Sequence, residues 1–213
     1  MIRHIALKHG WYYFYRIHEK KSYELTNNGL SGLRSYLNQV AESCPNQYFE
    51  SGPRGSCLNF KLPLELKPIE GHEICNLTKC ALNNDLEVNP HTKVELFLLQ
   101  NDPRTLAVEV PIWLKHNELE NFNELFKSKT PLTGHIDILR VEDNNVWIWD
   151  YKPNAPQEKF AATQTFFYAL MLSQRSNIPL ENFRCGYFDT NVAYVFKPEI
   201  TAIKKNIELS KFI

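Results

Sequence analysis

The stretch that most constrains the fold is Gly134–Ala155, in which two apolar runs are separated by four polar residues. The first run contains Asp137, and the second contains Asp150 followed two residues later by Lys152. Short apolar runs on either side of a tetrapeptide rich in Asp and Asn predict a β-hairpin. A hairpin would bring these charged groups together, which is unfavourable unless they are paired or bound to another group.

Two turn positions are compatible with this hairpin. A loop at residues 143–144 places Asp137 directly opposite Asp150, with the Cβ atoms of the pair about 5 Å apart. A loop at residues 144–145 instead places Asp137 opposite Lys152. Because side chains alternate along a strand, Asp150 and Lys152 share a face in either case. Both registers therefore bring two carboxylates and one ammonium group together.

Two carboxylates at this separation repel each other, and a divalent cation would relieve the repulsion because Mg²⁺ prefers hard oxygen ligands. Lys152 would then act on a water molecule or on a phosphate oxygen, which favours metal-assisted hydrolysis of phosphodiester bonds. The alternative is that both aspartates lie in water at strand ends, with Lys152 as a counter-charge. We favour the metal site because Asp150 stands between apolar residues in Val146–Tyr151.

The charge balance and the apolar content exclude some classes of protein. Lysine plus arginine and aspartate plus glutamate both number 24, so the formal net charge is zero. A protein that coats DNA without sequence preference would be basic, whereas a nucleic-acid enzyme with an acidic metal site fits a neutral total. No apolar stretch approaches the roughly 20 residues that span a bilayer. We therefore expect a soluble, cytoplasmic protein without membrane contact.

The remaining patterns predict the α/β class, with a mixed central β-sheet flanked by helices. We expect a single domain over residues 1–213, made of an N-terminal embellishment (1–88), a catalytic core (89–198) and a C-terminal helix (199–213). The elements predicted in the core are a helix capped by Asn89, a strand over Thr105–Leu114, the hairpin, a helix over Gln157–Ser173 and a second hairpin over Phe183–Pro198. In the N-terminal part we predict a helix over Leu30–Ser43, and loops with at most one short strand over Cys44–Val88.

The segment Met1–Lys21 interleaves basic and aromatic residues, including five consecutive aromatic residues over Trp11–Tyr15. The five basic residues, opposed in this segment by Glu19 alone, are Arg3, Lys8, Arg16, Lys20 and Lys21. Such a mixture suits binding of single-stranded nucleic acid. A strand whose aromatic side chains fill the core explains the same pattern, and we favour that interpretation.

Three motifs in the predicted core together resemble a known family. They are Gly-His-Ile-Asp ending at Asp137, Ile-Trp-Asp-Tyr-Lys-Pro ending at Pro153, and Gln-Thr-Phe-Phe-Tyr ending at Tyr168. In this order they resemble the RecB-type branch of the PD-(D/E)XK nuclease superfamily, the branch that includes the CRISPR-adaptation exonucleases. The resemblance covers roughly residues 90–198. It implies a restriction-endonuclease-like αβββαβ core and a DNA nuclease that uses Mg²⁺ or Mn²⁺.

The resemblance also implies roles for the residues of the hairpin. Asp137 matches the first metal-binding aspartate, Asp150 the second acid and Lys152 the lysine of the motif. The backbone carbonyl of Tyr151 would be a further metal ligand. Some members of this branch hold an iron–sulfur cluster with cysteines after the lysine, but only Cys185 of the five cysteines lies there. We therefore expect no iron–sulfur cluster.

The neighbouring helices are expected to complete the site. The family usually adds an acid or a histidine from the helix before the first strand, where His91 and Glu95 lie on one helical face. A solvated helix face explains His91 as well as metal binding does, and Glu95 is the stronger candidate. Glu109 in the following strand competes with it. Gln164 and Tyr168 match the Q-x-x-x-Y pair and would line the DNA side of the site, unless they belong to an ordinary amphipathic helix.

These observations favour a metal-dependent DNA nuclease with an Asp/Asp/Lys site. A catalytically silent DNA-binding or assembly module on the same fold is the alternative, although an inactive relative has no reason to keep all three residues. A type II restriction enzyme ranks lower because the sequence shows no obvious base-reading element. The expected partner is DNA, and a homodimer is compatible with the sequence.

Overall fold

A computed structural model describes residues 1–86 and 88–210 of the chain. In these residues it contains eight strands and seven α-helices. The strands are β1 (Ile2–His9), β2 (Trp11–His18), β3 (Lys67–Glu70), β4 (Thr105–Leu114), β5 (Leu132–Glu142), β6 (Asn145–Tyr151), β7 (Phe183–Phe188) and β8 (Val192–Phe196). The helices are α1 (Glu19–Leu25), α2 (Ser31–Ser43), α3 (Glu73–Leu82), α4 (Pro90–Asn101), α5 (Phe122–Phe126), α6 (Ala161–Ser176) and α7 (Thr201–Ser210). No helix in this part of the chain is long and apolar enough to cross a lipid bilayer.

All eight strands form one sheet, in the order β1-β2-β4-β5-β6-β7-β8-β3. Neighbouring strands are antiparallel except for β6 and β7, which are parallel. A parallel pair requires a crossover connection, and α6 provides it. The succession α4-β4-β5-β6-α6-β7 is therefore an αβββαβ core, which confirms the predicted mixed sheet between helices and is consistent with a restriction-endonuclease-like fold.

Helices cover both faces of this sheet. The larger core lies between one face and the helices α2 and α6, and the smaller core lies between the other face and α3 and α4. Every side chain of α6 from Thr163 to Leu172 is buried. A helix that is buried all round lies in the interior of a protein. The side chains that α6 presents to the sheet therefore lie in a largely water-free environment.

The N-terminal third differs from the prediction in several elements. The segment predicted to form loops contains α3 as well as the short strand β3. No common start signal for α3 is visible in the sequence, because the cap is His72, whose side chain accepts a hydrogen bond from the backbone N–H of Ile74. Strand β1 and helix α1 were not predicted. In β2, Tyr15 and Ile17 are buried as expected, but Trp11 is exposed, so only part of this strand fills the core.

The two predicted helices near the C-terminus differ only at their ends. A short 3₁₀ turn over Ala155–Gln157 precedes α6, so the helix begins at Ala161 and not at residue 157. The predicted final helix is present as α7. Its predicted last residues, 211–213, lie outside the described residues.

Candidate active site

The turn of the central hairpin fixes the register of the two acidic strands. Asp143 and Asn144 have φ angles of 49° and 57°, as in a type I′ turn, for which Asp and Asn are suited. The strands pair from Glu142 opposite Asn145 down to residues 138 and 149. This confirms the loop at residues 143–144. The next positions in the same register are residues 137 and 150, where the regular pairing ends.

A second irregularity lies on the other side of Asp137. Glu109 of β4 falls opposite Asp137, between paired residues on both sides, and its φ angle is 53°. Ala107 and Val110 both belong to the core under α2 and α6 although they are three residues apart, so the strand alternation shifts at Glu109. Non-glycine residues in this conformation are strained and cluster at functional sites. Glu109, Asp137 and Asp150 thus form one row of carboxylates across three strands.

Hydrogen bonds and an ion pair orient the two aspartates. Asp137 Oδ2 accepts a hydrogen bond from the backbone N–H of Tyr151 at 3.1 Å. Asp150 is 1% exposed, and its Oδ1 accepts a hydrogen bond from Gln164 Nε2 at 2.9 Å. Its Oδ2 lies 2.7 Å from Lys152 Nζ. The predicted Asp/Asp/Lys set is therefore brought together, with Gln164 as a fourth member.

Helix α4 approaches the row from the side of β4. The helix begins as predicted, because the Asn89 side chain accepts a hydrogen bond from the backbone N–H of Thr92 at 2.9 Å. His91 Nε2 lies 3.0 Å from the backbone carbonyl oxygen of Tyr151. Glu95 is buried and shares a hydrogen bond with Glu109. Both candidates from α4 thus lie near the row, His91 beside the hairpin and Glu95 behind Glu109.

These groups surround a cavity of about 190 Å³. The predicted site residues that line it are His91, Glu109, Asp137, Asp150, Lys152, Gln164 and Tyr168. Glu95 lines an adjoining cavity, which Glu109 also borders. The structure therefore places every predicted side chain of the site at one cavity or directly next to it.

Burial, with smaller contributions from neighbouring acids, raises the pKa of each carboxyl group in the row. Burial, and then the charge of Asp137, raises the pKa of Asp150 to about 8. Burial also raises the pKa of Asp137 to about 6, with a smaller contribution from Glu109. For Glu109 burial raises the pKa to about 7, and for Glu95 burial and the charge of Glu109 raise it. The raised pKa values keep part of the row protonated near neutral pH, and a cation bound there would favour the ionised form.

The pKa of Lys152 is raised as well, but in a lysine a raised pKa favours the charged form. Burial alone would lower the pKa of its ammonium group, but the charges of Asp150 and Asp137 outweigh burial and raise it. Lys152 is therefore positively charged throughout the neutral pH range. A permanently charged ammonium group serves as an electrostatic partner and cannot act as a general base.

The residues fit a hard divalent cation. Among the described residues, no group of three or more His, Cys, Asp or Glu side chains is already arranged to hold a metal ion. The buried Asp150 Oδ2 has the lysine contact but no well-aligned hydrogen bond. Carboxylate oxygens, a carbonyl oxygen from Tyr151 and the imidazole of His91 are ligands suited to Mg²⁺ or Mn²⁺.

The glycine of the Gly-His-Ile-Asp motif, Gly134, makes room for a neighbouring side chain. Tyr168 is 2% exposed, and its ring lies between Gly55 and Gly134. A Cβ atom at either glycine would lie 2.3 Å from Tyr168 Cε1. The hydroxyl group of Tyr168 lies 3.3 Å from Gln164 Nε2. Gln164 and Tyr168 thus line the cavity, but from a buried position in which they support Asp150.

Several residues at the cavity were not predicted from the sequence. They are Tyr13, Arg54, Ser56 and His135. His135 Nε2 lies 2.7 Å from Nδ1 of the buried His9, and its ring stacks on Tyr13 with centroids 3.8 Å apart. His135 is the second residue of the Gly-His-Ile-Asp motif, so its position in the sequence could have identified it as a site residue. Arg54 lies in the irregular segment before β3, where the sequence offers no periodicity to place it.

Comparison with known proteins supports the geometry. A family model described as the PD-(D/E)XK nuclease superfamily matches residues 88–208, which is more than half of the chain. The matched region extends from the residues before α4 into α7 and contains the acidic row, Lys152 and Gln164. Neither a curated protein nor a solved structure gave a significant match.

Proposed function

Because the chain belongs to the PD-(D/E)XK nuclease superfamily, we propose that it hydrolyses phosphodiester bonds of DNA with Mg²⁺ or Mn²⁺ as its cofactor. The observation that carries this proposal is the row of Glu109, Asp137 and Asp150, with the ammonium group of Lys152 at 2.7 Å from Asp150. Three acids side by side, with Asp150 buried and the other two partly buried, are unfavourable in isolation, and a divalent cation balances them.

Four groups would hold the cation. They are the carboxylates of Asp137 and Asp150, the carbonyl of Tyr151 and the imidazole of His91. Burial lowers the pKa of His91 and outweighs the charge of Asp150, which acts to raise it, so that the imidazole is neutral and one of its nitrogens has a lone pair for a metal. When bound, the cation supplies Lewis-acid polarisation of the scissile phosphate and lowers the pKa of water.

The remaining residues of the site orient the reacting groups and balance their charge. Lys152 orients the attacking water and stabilises the charge that develops on the phosphate. Gln164 holds Asp150 through its amide hydrogen bond, and Tyr168 supports Gln164. Glu109 is the third acid of the cavity, with Glu95 hydrogen-bonded behind it. The Q-x-x-x-Y motif of the RecB-type branch pairs Gln164 with Tyr168, and the 3.3 Å contact between their side chains also supports placing the chain in that branch.

Incubation with end-labelled linear, circular and single-stranded DNA tests the proposal. We expect cleavage in Mg²⁺ or Mn²⁺ and no cleavage in EDTA. Comparison of linear with circular DNA separates end-dependent from internal cutting. DNA binding without cleavage under every condition would instead support the catalytically silent module.

Metal affinity should rise with pH, because a cation must displace the protons that the crowded carboxyl groups retain. The pKa values are about 6 for Asp137, about 7 for Glu109 and about 8 for Asp150. Raised pKa values mean that these groups are protonated at lower pH and ionised only above that range. Titration calorimetry with Mg²⁺ at about pH 6 and about pH 8.5 should show tighter binding at the higher pH. Equal affinity at both pH values would contradict the assignment.

Gln164→Ala should lower the cleavage rate and weaken Mg²⁺ binding, because Asp150 loses the hydrogen bond that orients it. Tyr168→Phe should have a smaller effect in the same direction, since it removes only the hydroxyl group near Gln164. Gln174→Ala is the matched control in the same helix, because its amide contacts the backbone of Glu118 and not the site. Cleavage and metal affinity like those of the unmodified protein in both test variants would make these two residues purely structural.

A further inference from the structure

The β1–β2 hairpin ends in a group of exposed aromatic rings. Trp11, Tyr12 and Phe14 are 76%, 59% and 51% exposed. Tyr15 of the same strand is fully buried, so the strand contributes to the core at one end and presents aromatic rings to solvent at the other. Grouped apolar side chains at a surface mark an interaction site more often than isolated ones do. We call Trp11, Tyr12 and Phe14 the aromatic tip.

The aromatic tip borders a groove that adjoins the cavity containing the acidic row. A cavity of about 540 Å³ lies between the tip and the first turns of α4, with Thr92 on the opposite side. Tyr13 and Glu109 line both this cavity and the one that contains Asp137 and Asp150. These two residues lie on the boundary between the cavities, so a flexible polymer in the groove would lie directly next to the cavity that contains the acidic row.

Cationic groups accompany the rings. Lys8 is exposed and pairs directly with Tyr12 across the hairpin, so the two side chains share a face. Arg16 lines the groove, and its guanidinium lies 5.5 Å from the centre of the Phe14 ring. Arg54 holds the hairpin in place by donating hydrogen bonds to the carbonyl of His9 at 2.8 Å and to the hydroxyl of Tyr13 at 3.2 Å. Two cationic groups thus lie beside the exposed rings.

We propose that this groove binds a single-stranded segment of DNA, with bases stacked on the aromatic tip and phosphates near Lys8 and Arg16. The proposal rests on the nuclease function. It names the substrate class of that site as DNA with an unpaired segment, which the groove would hold next to the acidic row. Exposed rings can stack on the bases of a single strand, and the neighbouring cations can contact its phosphates. In a duplex the base faces are already stacked on one another, so exposed rings select unpaired bases.

Binding of labelled oligonucleotides in EDTA tests this proposal without any need for cleavage. Fluorescence anisotropy would compare a single strand of mixed sequence with a blunt duplex for the unmodified protein and for Trp11→Ala, Tyr12→Ala, Phe14→Ala and the triple variant. We expect the unmodified protein to prefer the single strand. Each lost stacking contact should weaken single-strand binding by about fivefold to a hundredfold, and duplex binding should change little.

Tyr23→Ala is the matched control. Tyr23 of α1 is 62% exposed, and its ring packs against the guanidinium of Arg34 of α2. Neither residue lines the groove, so loss of the Tyr23 ring should leave DNA affinity unchanged. Circular dichroism should show a folded triple variant, because the three rings are exposed. The tryptophan fluorescence of the unmodified protein should decrease on binding a single strand, and most of that decrease should disappear in Trp11→Phe.

Three results would overturn the proposal. They are equal affinity of the unmodified protein for single strand and duplex, unchanged single-strand affinity in the triple variant, and loss of self-association in that variant with DNA binding intact. The last result would show that a second copy of the chain covers the tip. Because these measurements contain no divalent cation, failure of the nuclease proposal would appear only in the cleavage assay and would leave the binding result unaffected.

Discussion

Asp150→Asn should cleave DNA more slowly than the unmodified protein by several orders of magnitude, and Asp137→Asn should do the same. Each substitution removes one of the two negative charges that would hold the cation. The shape of the side chain is retained, and the amide oxygen introduced by Asp150→Asn can still accept the hydrogen bond that Gln164 Nε2 donates at 2.9 Å. The fold should persist, because the substitution relieves repulsion within a row of buried acids.

The measurements are initial cleavage rates in Mg²⁺ and Mg²⁺ affinity by calorimetry, with thermal unfolding as a check on the fold. Asp143→Asn provides a matched control. It is the same chemical change in an exposed turn residue with φ of 49°, a conformation that Asn tolerates well. The control should cleave normally. Cleavage at the normal rate by either Asp137→Asn or Asp150→Asn would show that the acidic row is not the site.

Lys152→Ala should also lower the cleavage rate by orders of magnitude, but with the opposite effect on the cation. The Lys152 ammonium lies 2.7 Å from Asp150 Oδ2, where it competes with a metal for the same oxygen. Its removal should leave Mg²⁺ affinity unchanged or increase it. The rate falls because the positive charge of Lys152 no longer stabilises the negative charge that develops on the reacting phosphate. Electrostatic stabilisation of the transition state is a large contribution to catalysis.

Calorimetry and single-turnover cleavage at saturating Mg²⁺ separate these two effects. Lys159→Ala is the control, since Lys159 is an exposed lysine close in sequence and its variant should cleave at the normal rate. Loss of Mg²⁺ binding together with loss of activity in Lys152→Ala would mean that the lysine maintains the structure of the site. A normal rate would remove Lys152 from the mechanism.

That Asp137, Asp150 and Lys152 converge was predictable because a hairpin obeys simple geometry. The sequence left two registers open, and the turn at residues 143–144 then fixes every cross-strand pair. Burial of Asp150 between apolar neighbours was also visible in the sequence. Local patterns of this kind carry information because both partners lie within one short stretch.

The role of Glu109 could not be predicted in the same way. The residues around it form an apolar run that is typical of a buried strand, and nothing local indicates a left-handed φ of 53°. The conformation arises where β4 meets β5, so it depends on tertiary contacts. The same reason applies to Arg54, which reaches the hairpin carbonyl of His9 from 45 residues away. Contacts between distant segments leave no periodic trace in either segment.

The strand order has a consequence for how the chain reaches this structure. Both outer strands of the sheet, β1 and β3, come from the first third of the chain. Lys67 of β3 pairs with Val195 of β8, so β3 must wait for nearly all of the described chain to be synthesised. Pairings over such sequence separations slow folding. On the ribosome, the β1–β2 hairpin can form early, whereas the β3 edge of the sheet can close only after β8 has been synthesised.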